Sequence, residues 1–375
     1  MRFLASAALA ACSLLAACTS APRVPEGLVG SEHRVRVASR APGLAGHEGQ
    51  LYLRELAPAQ DAPRGARPVV LFVHGAGTPA EVSFDSRRSD YSWLAFVAQA
   101  GFDVFALDLT GYGRSTRPPA MGDPCNVAKA QQARFIPMLI KAGCTPSHPT
   151  PITTVASDWH DIDTTVDFLR ALRGVERVSM VGWSQGGPRI AGYAARHPEK
   201  VDRIVVLAPA YRRNSPLEPP DPLPRLDGSM TVQSRADFIA NWDRQVGCPA
   251  QYDKQAAATI FDEMLASDPI GARWAEGVRR APAVPTWGFN QAVVARLKTP
   301  FLMVAGEYDK QVDPKRVREL YEDWGGADKV FVDLGCSSHN AMWEKNRRLL
   351  YQATVDWLRD GKVQGLRQGT LRMGD

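Results

Sequence analysis

Val178-Ser179-Met180-Val181-Gly182-Trp183-Ser184-Gln185-Gly186-Gly187 is the stretch of this 375-residue chain that decides its fold. Residues 178–181 form a short, mostly apolar run, as a strand covered on both faces requires. Behind Gln185, the positions Ile190, Tyr193 and Ala194 recur at helical spacing. Strand, sharp turn and helix therefore meet at one serine. A turn this tight brings backbone against backbone, so the positions two before and two after the serine must be small, and Gly182 and Gly186 supply both. The turn aims the hydroxyl out of the strand end, at the N-terminus of a helix whose dipole favours developing negative charge. Ser184 is the candidate nucleophile.

The surrounding pattern supplies the scaffold. Val69-Val70-Leu71-Phe72-Val73 is a continuous apolar run, shorter ones recur at 104–107, 204–207 and 301–304, and a weaker one lies at 330–334. Between them Trp159, Ile162, Val166, Leu169 and Leu172 recur at three- and four-residue steps and mark one helix face. This alternation predicts an α/β fold: a mostly parallel central sheet flanked by helices. Residues 34–39 and 50–56 alternate polar with apolar, as half-buried antiparallel strands do.

Two regions interrupt the pattern, a Pro-rich insertion at 116–155 and a long one at 211–298. Both leave the sheet just after a strand, where ligand sites of open α/β sheets form. The second is expected to be a lid of several helices. Its Trp242, Tyr252, Trp274, Trp287 and Phe289 could line a pocket, but a lid needs its own core, and packing is the expected use of most of them. The core then comprises residues 33–210 and 299–360, followed by a polar, Gly-containing tail at 361–375 that reads as loose.

A serine hydroxyl is a poor nucleophile without an adjacent base. Two histidines follow Ser184. His197 stands late in the helix behind the serine, beside Pro198, and reads as a helix-end residue. His339 lies in Gly335-Cys336-Ser337-Ser338-His339-Asn340, just past the run at 330–334, where a base is wanted. For the acid, the run at 301–304 leads into Gly306-Glu307-Tyr308-Asp309-Lys310, making Asp309 the first choice. Asp313 precedes Pro314 and reads as the start of the next helix; Glu307 is the weaker alternative. Backbone N–H donors for a tetrahedral oxyanion come from Gln185, next to the serine, and from Ala76 in His74-Gly75-Ala76-Gly77. His74 reads as a packing residue of that loop, and Asp108 with Gly111-Tyr112-Gly113-Arg114-Ser115 as a structural turn.

With these motifs in this order, the chain resembles the α/β-hydrolase superfamily from about residue 68 to 357, the two insertions apart. In that family the chain order is nucleophile, acid, base, which Ser184, Asp309 and His339 match. The resemblance implies hydrolysis of an acyl bond through an acyl-enzyme, with no metal and no organic cofactor. The substrate it implies is a small-molecule ester, lactone, thioester or related acyl compound. Peptidases and C–C bond hydrolases use the same triad. Epoxide hydrolases and haloalkane dehalogenases, similar in outline, carry Asp at the nucleophile position, and Ser184 argues against both. A non-catalytic envelope lipoprotein on the same scaffold is the alternative from another class, and an intact Ser, Asp and His set argues against it.

At 45% hydrophobic and 23% charged, the chain has the composition of a core-forming globular protein. Its formal net charge of +5 is mild, and Lys and Arg are scattered with no basic run, so no nucleic-acid footprint is present. The doublets Arg212-Arg213, Arg279-Arg280 and Arg347-Arg348 read as solvated surface.

The N-terminus reads as a targeting segment. Met1-Arg2 is followed by an uncharged stretch to residue 17, shorter than the ~20 apolar residues a membrane-spanning helix needs. Leu15-Ala16-Ala17-Cys18 resembles a bacterial lipobox, in which the cysteine becomes the lipidated N-terminus; the same tetrad ends at Cys12, with a very short apolar stretch before it. Residues 1–17 then form the signal peptide and 18–32 a tether, with the protein anchored in the cell envelope; Thr19, not Asp, leans toward the outer membrane. In an oxidising compartment the four remaining cysteines, Cys125, Cys144, Cys248 and Cys336, allow three pairings. Cys125 and Cys144 flank one insertion, which favours that pair and leaves Cys248 to Cys336, with free buried thiols the alternative. Labelling with a palmitate analogue should mark the exported protein and be lost in Cys18→Ser; label lost instead in Cys12→Ser would move the anchor upstream.

Overall fold

The computed structural model describes residues 24–88, 90–135, 144–281 and 286–375. Cys12 and Cys18 lie outside these residues. The strands are β1 (Leu28–Ala38), β2 (Glu48–Pro58), β3 (Val69–Val73), β4 (Asp103–Asp108), β5 (Val178–Trp183), β6 (Val201–Leu207), β7 (Thr231–Gln233), β8 (Val278–Arg280), β9 (Phe301–Gly306), β10 (Lys329–Leu334) and β11 (Gly369–Met373). Nine of them form one sheet in the order β1-β2-β4-β3-β5-β6-β9-β10-β11. β1 and β2 pair antiparallel with each other, β2 pairs antiparallel with β4, and every pairing from β4 to β11 is parallel.

The unbroken apolar runs are the central strands. Every residue of β3, β4, β5 and β9 is buried, because helices cover both faces. On one face Trp93, Val97, Leu350 and Trp357 pack on the sheet. On the other, the helix Val155–Arg173 lays Trp159, Ile162, Val166 and Leu169 against it, beside Ile190 and Val317. That helix starts at a capping box between Thr154 and Ser157 and ends at Gly174 in the left-handed conformation, φ 68°.

The sheet order places the site. From β3 the chain crosses to β4 on one side, and the later strands add through β5 on the other. The loops after β3 and β5 therefore diverge at a topological switch point, where a crevice opens at the carboxyl ends of the strands.

The segment 211–298 holds the helices Arg235–Asp243 and Lys254–Ser267, as expected of a lid, and also the antiparallel pair β7–β8. It is joined to the Pro-rich insertion. Val127 bridges to Met230, and Met121, Val127, Ile152, Met230, Val232 and Trp274 share a small core of their own. The two insertions thus make one cap. Its helices are not free-standing: Phe238, Trp242, Ile260 and Phe261 belong to the same cluster as the sheet residues Val304 and Val332.

Three expectations need correction. The tether is shorter than 18–32, because β1 begins at Leu28 and pairs with β2 along its length. The tail 361–375 is not loose: β11 adds to the sheet edge in parallel with β10, Arg372 reaches Asp333 at 3.0 Å, and Met373 is buried. A five-residue edge strand of alternating exposure carries little apolar signal, so its polarity hid it. The pair Arg279-Arg280 is not solvated surface. Arg279 is only 3% exposed and is bound to the buried Asp268 through its backbone and side chain at 2.8 and 3.1 Å.

Ending the chain at Gln368 removes β11 and the burial of Met373. Thermal unfolding of that variant should fall by several degrees, matching about 2–3 kcal/mol of lost burial. An unchanged midpoint would show that the edge strand adds nothing.

Candidate active site

Ser184 stands between β5 and the helix Gly186–Arg196 with φ at +56°, a conformation a non-glycine residue holds only under constraint. The constraint is close packing on either side. A side-chain carbon on Gly186 would lie 2.5 Å from the Val73 carbonyl oxygen, and one on Gly182 would lie 3.0 Å from the Gly186 backbone. Glycine at both positions lets the turn close, as the spacing predicts. The Ser184 N–H donates to the Leu207 carbonyl at 2.9 Å, which pins the turn to β6.

His339 and Asp309 meet across two loops. The His339 Nδ1 lies 2.8 Å from the Asp309 Oδ2, with both residues buried. The other carboxylate oxygen of Asp309 accepts from the Gln311 and Val312 amides at 2.7 and 2.9 Å, so the acid is held by its own turn. Asp313 instead caps the next helix through the Lys315 amide at 2.9 Å, and Glu307 accepts from the Cys336 amide at 3.0 Å. The carboxylate bonded to His339 is that of Asp309, not of either of these. His197 ends the helix behind the serine and lies in range of Asp163, at 3.8 Å.

Ser184, Gln185, Ala76 and His339 line one cavity of about 1060 Å³. Among the described residues, neither the Ala76 nor the Gln185 amide donates to another protein group. The loop carrying Ala76 is held from behind by Arg189, which is 1% exposed. Its guanidinium donates to the His74 and Gly75 carbonyls at 2.8 and 2.9 Å and to the Asp158 carboxylate at 2.7 Å. His74 is a structural member of that loop: its Nδ1 lies 2.7 Å from the Gly75 carbonyl, and its Nε2 accepts from the Leu109 amide at 3.2 Å. Burial, with Arg189 nearby, holds its pKa well below the usual histidine range, so it stays neutral. Asp108 forms the expected structural turn, accepting from the Ala80 and Arg114 amides at 2.7 and 2.9 Å, while burial raises its pKa to about 6.

Several residues that brace the site escape sequence patterning. Glu344 is fully buried and accepts from the Ser338 amide at 2.6 Å, the Ser338 hydroxyl at 2.5 Å, and the Trp242 indole N–H at 2.6 Å. Burial raises its pKa, and these donors pull against that rise. The Gln245 side-chain oxygen accepts from the Lys310 amide at 3.1 Å and the His339 amide at 3.4 Å, so one cap residue spans the loops that carry Asp309 and His339. The Trp183 indole donates to the His339 carbonyl at 2.7 Å. Arg189 alone left a signal: before the closing Arg196 it is the one charge in a helix otherwise made of small and apolar residues.

Both disulfides are present, Cys125–Cys144 and Cys248–Cys336, each with Cα atoms 5.6 Å apart. The second joins the cap to the loop that carries His339. Of the cap aromatics, Trp287 lines the cavity, whereas Trp242 stacks on Tyr252, Trp274 sits in the cap core and Phe289 in the main core. Among the described residues no group of three His, Cys, Asp or Glu converges to hold a metal ion.

Residues 68–346 match the family model described as alpha/beta hydrolase fold. A human protein, serine hydrolase BPHL, is 24% identical over 212 residues, which is 56% of this chain and 55% of the human protein, so the match spans about half of that relative. Among solved structures, a bromoperoxidase from Bacillus anthracis superposes with a TM-score of 0.53 at 13% identity, covering 88% of this chain and all of that one. A thermophilic esterase from Thermogutta terrifontis gives 0.51 at 16%, covering 87% and 98%.

Glu344→Gln would put an N–H₂ donor among groups that all donate. Its urea unfolding midpoint should fall by an amount equal to about 1–3 kcal/mol. A midpoint equal to that of the unmodified protein would remove Glu344 as the brace of the histidine loop.

Proposed function

The chain belongs to the alpha/beta hydrolase fold family, and from that premise we propose that it is a serine hydrolase cleaving an acyl bond, with a carboxylic ester as its substrate. The observation that carries this function is the 2.8 Å contact of His339 with Asp309, on the wall of the cavity that also holds the strained Ser184.

In the proposed cycle, His339 takes the Ser184 proton through Nε2 as the oxygen attacks the carbonyl carbon. Asp309 fixes the ring with its Nδ1–H toward the carboxylate and stabilises the imidazolium. The oxyanion settles against the Ala76 and Gln185 amides, which no group among the described residues occupies. Their alignment needs no reorganisation at the moment of reaction, because Arg189 and the turn hold both. His339 protonates the departing alcohol, then activates water to release the acid. Every step uses the chain's own side chains and amides.

We further propose that the protein works in the cell envelope, exported by its N-terminal segment and lipidated at Cys18. The two disulfides support an oxidising compartment.

Ser184→Ala should lower ester turnover by roughly 10⁴–10⁶-fold with the fold intact, and should abolish labelling by a fluorophosphonate probe. Near-normal turnover in a clean preparation would refute the nucleophile. Asp309→Asn should cost a similar or smaller factor by favouring the wrong tautomer of His339; a larger loss in Asp313→Asn would move the acid there.

A further inference from the structure

The neighbours Arg279 and Arg280 are bound in opposite ways. Arg279 has its charge answered by Asp268. Arg280 points to the other side of β8, where its guanidinium forms part of the cavity wall with Ser184 and His339. It donates from Nη2 to the Ala76 carbonyl at 2.8 Å. Its Nε is enclosed and has no partner. Among the described residues no carboxylate pairs with it, and residues 1–23, 89, 136–143 and 282–285 contain no Asp or Glu to do so. Burial pushes its pKa down, with only the Tyr112 hydroxyl acting the other way.

A part-buried cation with no carboxylate partner is costly to keep. If its task were only to hold the Ala76 carbonyl, a neutral donor would serve. The neighbouring charges do not answer it either. Arg213 is tied to Asp323 at 2.7 Å, and Glu319 faces Arg316 at 3.5 Å on the far helix. Asp313 is occupied with its helix cap. The fit at Arg280 is close: a side-chain carbon on Gly77 would overlap the guanidinium.

We propose that Arg280 is a substrate-binding residue for a carboxylate, and that the substrate is a half-ester of a short dicarboxylic acid whose free carboxylate supplies the missing counter-ion. This rests on the serine hydrolase function above. The spacing follows from the hydrogen bond. The N and O of one residue lie about 3–4 Å apart, so the guanidinium is about two hydrogen-bond lengths from the Ala76 amide that faces the reacting carbonyl. A carboxylate two or three carbons from that carbonyl spans this gap, as in succinate or glutarate half-esters. The guanidinium suits such an anion, since it presents several donors to one carboxylate.

The test compares the monoethyl ester of succinate with neutral diethyl succinate. The unmodified protein should favour the half-ester at least 10-fold in kcat/KM, and Arg280→Met should erase that preference, mainly through KM. Arg280→Lys should restore part of it. Equal kcat/KM for the two esters in the unmodified protein would overturn the proposal. So would an equal loss on both esters in Arg280→Met, which marks a residue that only positions Ala76. A binding measurement separates this outcome from failure of the hydrolase function. Succinate should bind to Ser184→Ala in calorimetry and should bind at least 10-fold more weakly to Ser184→Ala/Arg280→Met. Binding lost with Arg280 while no ester is cleaved keeps the anion site and rejects the hydrolase. Turnover without any succinate binding keeps the hydrolase and rejects the site.

Discussion

Ser184 holds a left-handed backbone conformation at φ +56°, and strain of this kind costs on the order of 1–3 kcal/mol. It persists because everything around it is fixed more firmly. The turn is hung from Leu207 on β6 and squeezed beneath Val73 on β3, so the pairings of β5 with β3 and β6 hold it on both sides. The sheet is therefore more than a support for the site. Its register sets how far the serine stands above the strand ends and how near the Ala76 loop comes to it.

The remaining groups are brought to this fixed point by a second set of buried polar contacts. Arg189 ties the loop after β3 to the helix Val155–Arg173 through Asp158. Glu344 gathers the histidine loop and the cap residue Trp242 onto one carboxylate. Buried ionised groups are costly to leave unmatched, so each such group commits its neighbours to one arrangement. The loop after β3 and the histidine loop are thereby each tied to a buried charged side chain.

The elements with a repeating apolar signal were legible in the sequence: the runs that became β3, β4, β5, β6 and β9, the helix Val155–Arg173, and the serine turn with its two glycines. His339 and Asp309 were legible because loop position after a strand narrowed each choice to a few residues. β11 was not, since an edge strand buries too little to show a period. Glu344, Gln245 and the contrast between Arg279 and Arg280 were not legible either. A charged residue looks alike in sequence whether it meets solvent, a partner or an empty cavity, and only the fold decides which.

The cap then has a dual use that its sequence separation conceals. Its Gln245, Gln251 and Trp242 brace the loops of Asp309 and His339, and Cys248 is bonded to the His339 loop at Cys336. This side of the cap cannot swing away without dismantling the histidine loop. The cap also forms much of the cavity wall, with Arg280 from β8, Trp287, and Phe238 and Asn241 from the helix Arg235–Asp243. The part of the cap that would have to open is the same part that holds the loop of His339 in place. The cavity wall is thus made both by β8 and by the helix Arg235–Asp243, whose Trp242 also donates to Glu344 behind the loop after β10.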